Sequence, residues 1–446
     1  MLNREIRVLA EGIFWNGMNQ IQTPNQENRF LFALFCAWTF VLLCRPQDYF
    51  TFLVPVRPAL FLGLFTFLVF FVTMPVSSHV MLFKNNQVKL YMALICIMVL
   101  SIPLALYRRA AFEFVFLGYI NVILFFFIFL AVVNTPEKVK TILFVGCLGT
   151  GLYLIIALIK GGIVAKRLYF GNMFDPNDLA FFSLSFLPFN LIFVSEGNPL
   201  VKRLVCISNF VIGALVILLT GSRGGFIGFS IVLLMLFLTK TNTFRASYKV
   251  VFAVLMLVFV STNMRIIDFN RYESIINLED DYNKTSETGR LEIWKVGVRV
   301  MLSHPFTGVG LGCFAEAIGT DRDERGLIPR WQAAHNSLIQ IGSESGVIGA
   351  ILFVLASLNA FRIFGQARRR SKSDGPIKIA EMARIGFVGH FISAMFVSQA
   401  YSIYWAFYIA LSAIADRLIK QEAEGALSPF EKGNGCLDVF GGDKAG

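Results

Sequence analysis

Long apolar runs, nearly free of charge, recur from residue 30 to residue 261 and again from 346 to 418. Crossing a hydrocarbon core of about 30 Å takes roughly 20 residues as a helix. In lipid the backbone must satisfy its own hydrogen bonds, which leaves helices and closed barrels. Barrel strands alternate apolar and polar residues over about ten positions, and these runs do not. With 56% hydrophobic residues, 47 Phe and only 15% charged side chains, the chain has too little polar surface to clothe a soluble core of this size. The expected fold class is all-α: a polytopic membrane protein with about 12 transmembrane helices and one large, partly helical loop. The runs lie at 30–44, 51–74, 90–107, 111–133, 141–159, 179–195, 203–220, 224–239, 249–262, 346–364, 385–401 and 402–418.

The net charge of +11 does not point to nucleic acid, because a large share of the Lys and Arg lies in short loops beside the runs, where it signals topology. The heaviest basic segment runs from Arg362 to Arg384 and holds Arg368, Arg369 and Arg370. With that segment inside, both termini are expected in the cytoplasm. The connections carrying Arg45, Arg108, Arg167 and Arg223 then lie outside, with the polar stretch 262–345. The first residues are polar and no cleavable signal peptide is expected. The resulting division is a cytoplasmic segment 1–29, spans over 30–261, an outside loop 262–345 with amphipathic helices, spans over 346–418, and a Gly-rich tail 419–446 expected to be disordered. Of the seven Cys only Cys313 falls in the loop, so no disulfide framework is implied.

Chemistry is expected where that polar stretch meets the membrane surface. From Gly289 to Leu302, Leu291, Trp294, Val298 and Met301 recur at helical spacing, which predicts an amphipathic helix. Pro305 and the glycines of `HPFTGVGLGCF` break it, and a second helix is expected to run from Trp331 into the span that starts near Gly346. Arg223 sits in `LLTGSRGGFIGF` between two runs. The flanking glycines permit a tight reversal, and a guanidinium beside backbone amides suits a phosphate or pyrophosphate. The alternative is a loop arginine that snorkels to the interface. Arg167, ahead of the turn in `GNMFDPNDLA`, and Arg290, at the start of the amphipathic helix, pose the same choice between ligand contact and solvated charge. His335 stands one or two turns above a span beside Asn336 and Ser337, where an imidazole can serve as a general base or as a structural hydrogen-bonding group. His304, before Pro305, reads as a helix-ending residue. `GVGLG` lacks dinucleotide spacing and a preceding strand, no His/Cys cluster has zinc spacing, and the `DRD` at Asp321–Asp323 is too short to specify a metal, so no cofactor or metal is expected.

The strings `GNMFDPNDLA`, `LLTGSRGGFIGF`, `GRLEIWKVGVRVMLSHPFTGVGLGCF` and `AAHNSLIQIGSESGVIGAILFV`, in that order over roughly residues 165–365, resemble the O-antigen ligase and polymerase superfamily of bacterial inner membranes. That resemblance implies a metal-independent glycosyltransferase, multi-pass in the inner membrane with a periplasmic active face. It would use an undecaprenyl-pyrophosphate-linked glycan as donor and the lipid A core or another glycan as acceptor. It further implies that Arg167, Arg223 and Arg290 bind pyrophosphate and that His335 activates the acceptor, with Arg223, Arg290 and His335 as the catalytic set. A polymerase joining lipid-linked repeats stays open beside a ligase. The rival of another class is a transporter of polysaccharide or lipid-linked sugar. Transporters place ionisable groups or broken helices at mid-membrane, whereas here most runs lack charge and the polar groups gather on one face.

Overall fold

The computed structural model describes residues 29–73, 83–171, 175–195, 197–239, 286, 289–371 and 374–431, with positions 424–431 as backbone alone. The described chain is almost wholly helical, and its order follows the apolar runs. α1 (Arg29–Cys44) and α2 (Pro58–Thr73) are joined by two short 3-10 turns, and α3 (Asn86–Ser101) follows. α4 (Arg108–Val132) contains a π-helical segment at Phe114–Tyr119, and α5 covers Pro136–Lys160. Next come a small antiparallel hairpin, β1 (Gly162–Val164) and β2 (Arg167–Tyr169), and then α6 (Pro176–Phe186), α7 (Leu200–Leu219) and α8 (Arg223–Leu238). Past the polar stretch lie α9 (Arg290–Ser303), α10 (Phe314–Glu324), α11 (Ser337–Arg370), α12 (Asp374–Ala394) and α13 (Ile403–Glu431).

Side-chain caps fix where several helices begin. Asn85, Thr135, Asp175, Ser222 and Asn336 each accept a hydrogen bond from a backbone N–H in the first turn of the helix that follows. Pro136 and Pro176 occupy the first helical position, where the missing N–H costs nothing. Among the described residues six helices are long and apolar enough to cross a membrane, with α2 and α8 as shorter apolar helices. The expectation of about twelve runs differs for local reasons. The run 179–195 leaves α-geometry after Phe186 and continues as a 3-10 segment, Leu187–Phe193, with Pro188 at its start. The runs 385–401 and 402–418 do not abut as helices: α12 ends at Ala394 and an irregular link precedes α13. The run 249–262, the first 28 residues and the end of the tail lie outside the described residues.

Aromatic side chains form the centre of the bundle. Phe35, Trp38, Phe125 and Phe129 of α1 and α4 meet ring to ring, and Phe129 stacks on Phe407 of α13 at 5.0 Å. Outward, Phe61, Phe71 and Val72 of α2 and Leu238 of α8 stay exposed, as a lipid-facing surface requires.

α9 forms as expected, but the face it buries is not the one read from Leu291, Trp294, Val298 and Met301. Ile293, Val296, Gly297 and Val300 are buried, while Leu291 and Val298 are exposed. Gly297 explains the rotation: its missing side chain lets Ile339 and Phe314 close on the helix, and Ser343 Oγ donates to its carbonyl at 2.8 Å. The second helix does not begin at Trp331. Residues 328–336 are irregular apart from a bend at His335 and Asn336, and α11 starts at Ser337.

The glycine string has a structural explanation. α11 is interrupted at Gly346, with φ 75° and ψ 179°, a region open essentially to glycine alone. The interruption leaves room for the segment after α9 to dock by backbone bonds. Val347 N–H donates to Pro305 O at 2.8 Å, Val309 N–H to Ser343 O at 2.9 Å and Gly310 N–H to Glu344 O at 3.1 Å. Leu106 N–H in turn donates to Val309 O at 2.9 Å, so the same loop ties the α3–α4 connection to α11.

Candidate functional site

Two helices on this face start with an arginine. Ser222 caps α8, accepting from Gly225 N–H at 3.2 Å, and Arg223 is the first helical residue. Gly289 precedes α9, whose first residue is Arg290. A cation at a helix N-terminus opposes the macrodipole and typically costs about 0.3–1 kcal/mol. Two such starts therefore create a region of positive potential that favours an anion.

The link between α12 and α13 brings the two starts together. A side chain at Gly224 would collide with Phe396, so the first turn of α8 lies directly against the link. Arg290 Nη1 donates to the carbonyl of that same Phe396 at 3.3 Å. Two residues on, Ser398 Oγ accepts from the N–H of His335 at 2.8 Å. Ser337 Oγ donates to Val397 O at 2.9 Å and accepts from Gln399 N–H at 3.0 Å. Gln399 Nε2 donates to Asp178 Oδ1 at 3.0 Å, joining α6 to the group.

His335 has φ 47°, a left-handed conformation that a non-glycine residue keeps only where its surroundings dictate it. Those surroundings are the bond to Ser398 and the cap at Asn336, which accepts from Leu338 N–H and Ile339 N–H at 3.0 and 3.1 Å. Burial lowers the pKa of this imidazole, the Arg290 guanidinium lowers it further, and Asp175 opposes both. The ring is thus held below the ordinary histidine value and is neutral, with a free lone pair, near pH 7.

Arg167 reaches the site from the hairpin. Its Nε donates to Thr220 O at 2.8 Å and its Nη2 to Asn177 Oδ1 at 2.9 Å, bridging the end of α7 to the start of α6. Asp175, the cap of α6, accepts from Asn177 N–H at 2.7 Å and Asp178 N–H at 2.8 Å. The apolar run expected from residue 179 is therefore preceded by a capped first turn, and the helix begins at Pro176.

The other candidates lie elsewhere or have settled partners. His304 closes α9, its N–H donating to Val300 O at 3.1 Å, which fits the helix-ending role. His390 is buried in α12 against Ser185, and His79 lies outside the described residues. Asp321 of the `DRD` string pairs with Arg299 and Arg325, fastening α10 to α9. Among the described residues no cluster of three or more His, Cys, Asp or Glu is placed to hold a metal ion. Phe396 with its carbonyl, Ser398, Gln399, Asp175 and Asn177 are site residues that sequence reasoning missed.

This is a multi-pass membrane protein in which several separate segments bring arginines and a histidine together as a candidate site. Residues 208–354 match the family model described as O-antigen ligase. Over those residues the chain is similar to the O-antigen ligase family, whose members are glycosyltransferase-like enzymes. The match contains Arg223, Arg290 and His335, while Arg167 and the `GNMFDPNDLA` string precede it. No curated protein matches the chain.

Proposed function

We propose that the protein transfers a glycan from undecaprenyl pyrophosphate to an acceptor hydroxyl at the periplasmic face of the inner membrane, as an O-antigen ligase does. The observation that carries this reading is the meeting of two arginine-led helix starts at Phe396, with the backbone of His335 held by Ser398 two residues further along the same link. The acceptor oxygen attacks the anomeric carbon, the bond from that carbon to the pyrophosphate oxygen breaks, and the bonding pair leaves on the pyrophosphate. Arg223, Arg290 and Arg167 take up that growing charge as preorganised donors. His335, neutral at working pH, accepts the acceptor's proton on a ring nitrogen. In this reading residues 262–345 are periplasmic and both termini cytoplasmic.

Two measurements test it. His335→Ala should abolish glycan transfer by purified protein while binding of lipid-linked donor persists; near-normal transfer would reduce His335 to a structural residue. Cysteine probes at positions 281 and 373 should be labelled from outside and from inside respectively, and the reverse pattern would put the site on the wrong face of the membrane.

A further inference from the structure

At the opposite end of the bundle, where α3 begins and α11 approaches its end, a groove of about 550 Å³ runs between the two helices. Asn86, Lys89, Asn359 and Arg362 line its polar end, and Leu90, Leu355 and Leu358 line the rest. Its floor is fixed: Gln87 Nε2 donates to Ala356 O at 2.8 Å, and Asn359 Nδ2 donates to Gln87 Oε1. Lys89 and Arg362 are exposed and have no acidic partner among the described residues. Two unpaired cations on facing helices repel each other and attract an anion. From Arg362 an exposed apolar stripe leads away along α11 through Leu358, Leu355, Ile351 and Ile348. At 1.5 Å per residue the stripe from Leu358 to Ile348 is about 15 Å long, half of the ~30 Å hydrocarbon core and so the depth of one leaflet.

We infer that this groove binds an anionic phospholipid of the bilayer, its phosphate between Lys89 and Arg362 and an acyl chain along the α11 stripe. A free phosphate would use the two cations but leave the stripe without purpose, and a zwitterionic lipid would bring a positive group to a site that already holds two. A basic pocket between membrane helices beside an apolar surface has the chemistry that such headgroups recognise. The site is separate from the one that holds His335 and needs no assumption about the reaction.

The test is native mass spectrometry of the full-length protein titrated with phosphatidylglycerol, phosphatidylcholine or inorganic phosphate. Phosphatidylglycerol should bind as a discrete adduct and phosphatidylcholine should not. A Lys89→Gln/Arg362→Gln double variant should weaken that binding by about 25-fold, at about fivefold for each cation near an anionic surface. Both side chains face outward, so the variant should stay folded, which circular dichroism checks. Lys138→Gln/Lys140→Gln, which removes the same charge from α5, should leave binding intact. Equal loss in the two double variants, unchanged binding in the first, or displacement by inorganic phosphate at similar concentration would each overturn the assignment.

Discussion

Replacing Gly346 with alanine tests whether the interruption of α11 organises the face that holds the site. At φ 75° and ψ 179° any side chain is strained, a cost of about 1–3 kcal/mol. The added Cβ would also stand 2.5 Å from Pro305 O and 2.8 Å from Phe306 C, backbone atoms that cannot swing aside. Relief requires the Pro305–Gly310 segment to back away, which gives up the bonds Val347–Pro305, Val309–Ser343 and Gly310–Glu344. Three such bonds are worth about 1.5–4.5 kcal/mol net. The sum is about 2.5–7.5 kcal/mol in favour of the undocked loop, and its lower end already multiplies the open population by about sixtyfold. Limited proteolysis in vesicles reads that population when opening is fast relative to cleavage, and new cuts should fall between residues 303 and 313. Gly326→Ala is the matched control: its φ is 70°, but nothing lies within 4 Å of a Cβ there, so only backbone strain is added. If Gly346→Ala resists cleavage as well as Gly326→Ala does, the docking of this loop does not depend on the interruption.

Arg223→Ala and Arg290→Ala should each lower turnover of a lipid-pyrophosphate donor by about a hundredfold or more, as expected for a lost charge-assisted donor, with Arg167→Ala losing less of the direct contact because Thr220 O and Asn177 Oδ1 already take up part of its guanidinium. Lysine should rescue these variants poorly, since it lacks the planar fork; full turnover in the alanine variants would remove the arginines from the donor site. Transfer should lose rate as pH falls through the depressed pKa of His335, because only the neutral ring accepts a proton, so the acid limb should lie below the ordinary histidine value of about 6.5. Asp175→Asn keeps an N-cap side chain but removes the charge that raises the histidine pKa, so the acid limb should move to lower pH. An unmoved or upward-shifted limb would show that another group titrates.

The charged members of the candidate site were legible because they lie at the ends of apolar runs or in the polar stretch between them. Arg167, Arg223, Arg290 and His335 were singled out by their places at span ends or in the polar stretch and by the family resemblance, whereas the glycines beside Arg223, read as room for a ligand, turn out to include one packed against Phe396. What stayed hidden acts through the backbone or through modest polar groups. The Phe396 carbonyl carries no mark in the side-chain pattern, and Ser398 and Gln399 sit in a stretch apolar enough to continue a span. Pro188 was the visible sign that the run 179–195 would not remain one α-helix. The buried face of α9 was misread because hydrophobic residues occur on both sides of that helix, and the small size of Gly297, not apolarity, decided which side could approach α11.

The α12–α13 link sets an order of events during synthesis. The four residues Arg167, Arg223, Arg290 and His335 emerge from the ribosome before residues 395–402, which supply the carbonyl for Arg290 and the hydroxyl for His335. At about 5–20 residues per second, the interval between the emergence of Arg290 and that of Ser402 is roughly 6–22 s. Through that interval the growing chain already carries its arginines and its histidine, while the groups that hold two of them in place have not yet been made. A nascent chain therefore carries the candidate side chains without the contacts that position them. The arrangement is completed only with the last connection between the described helices.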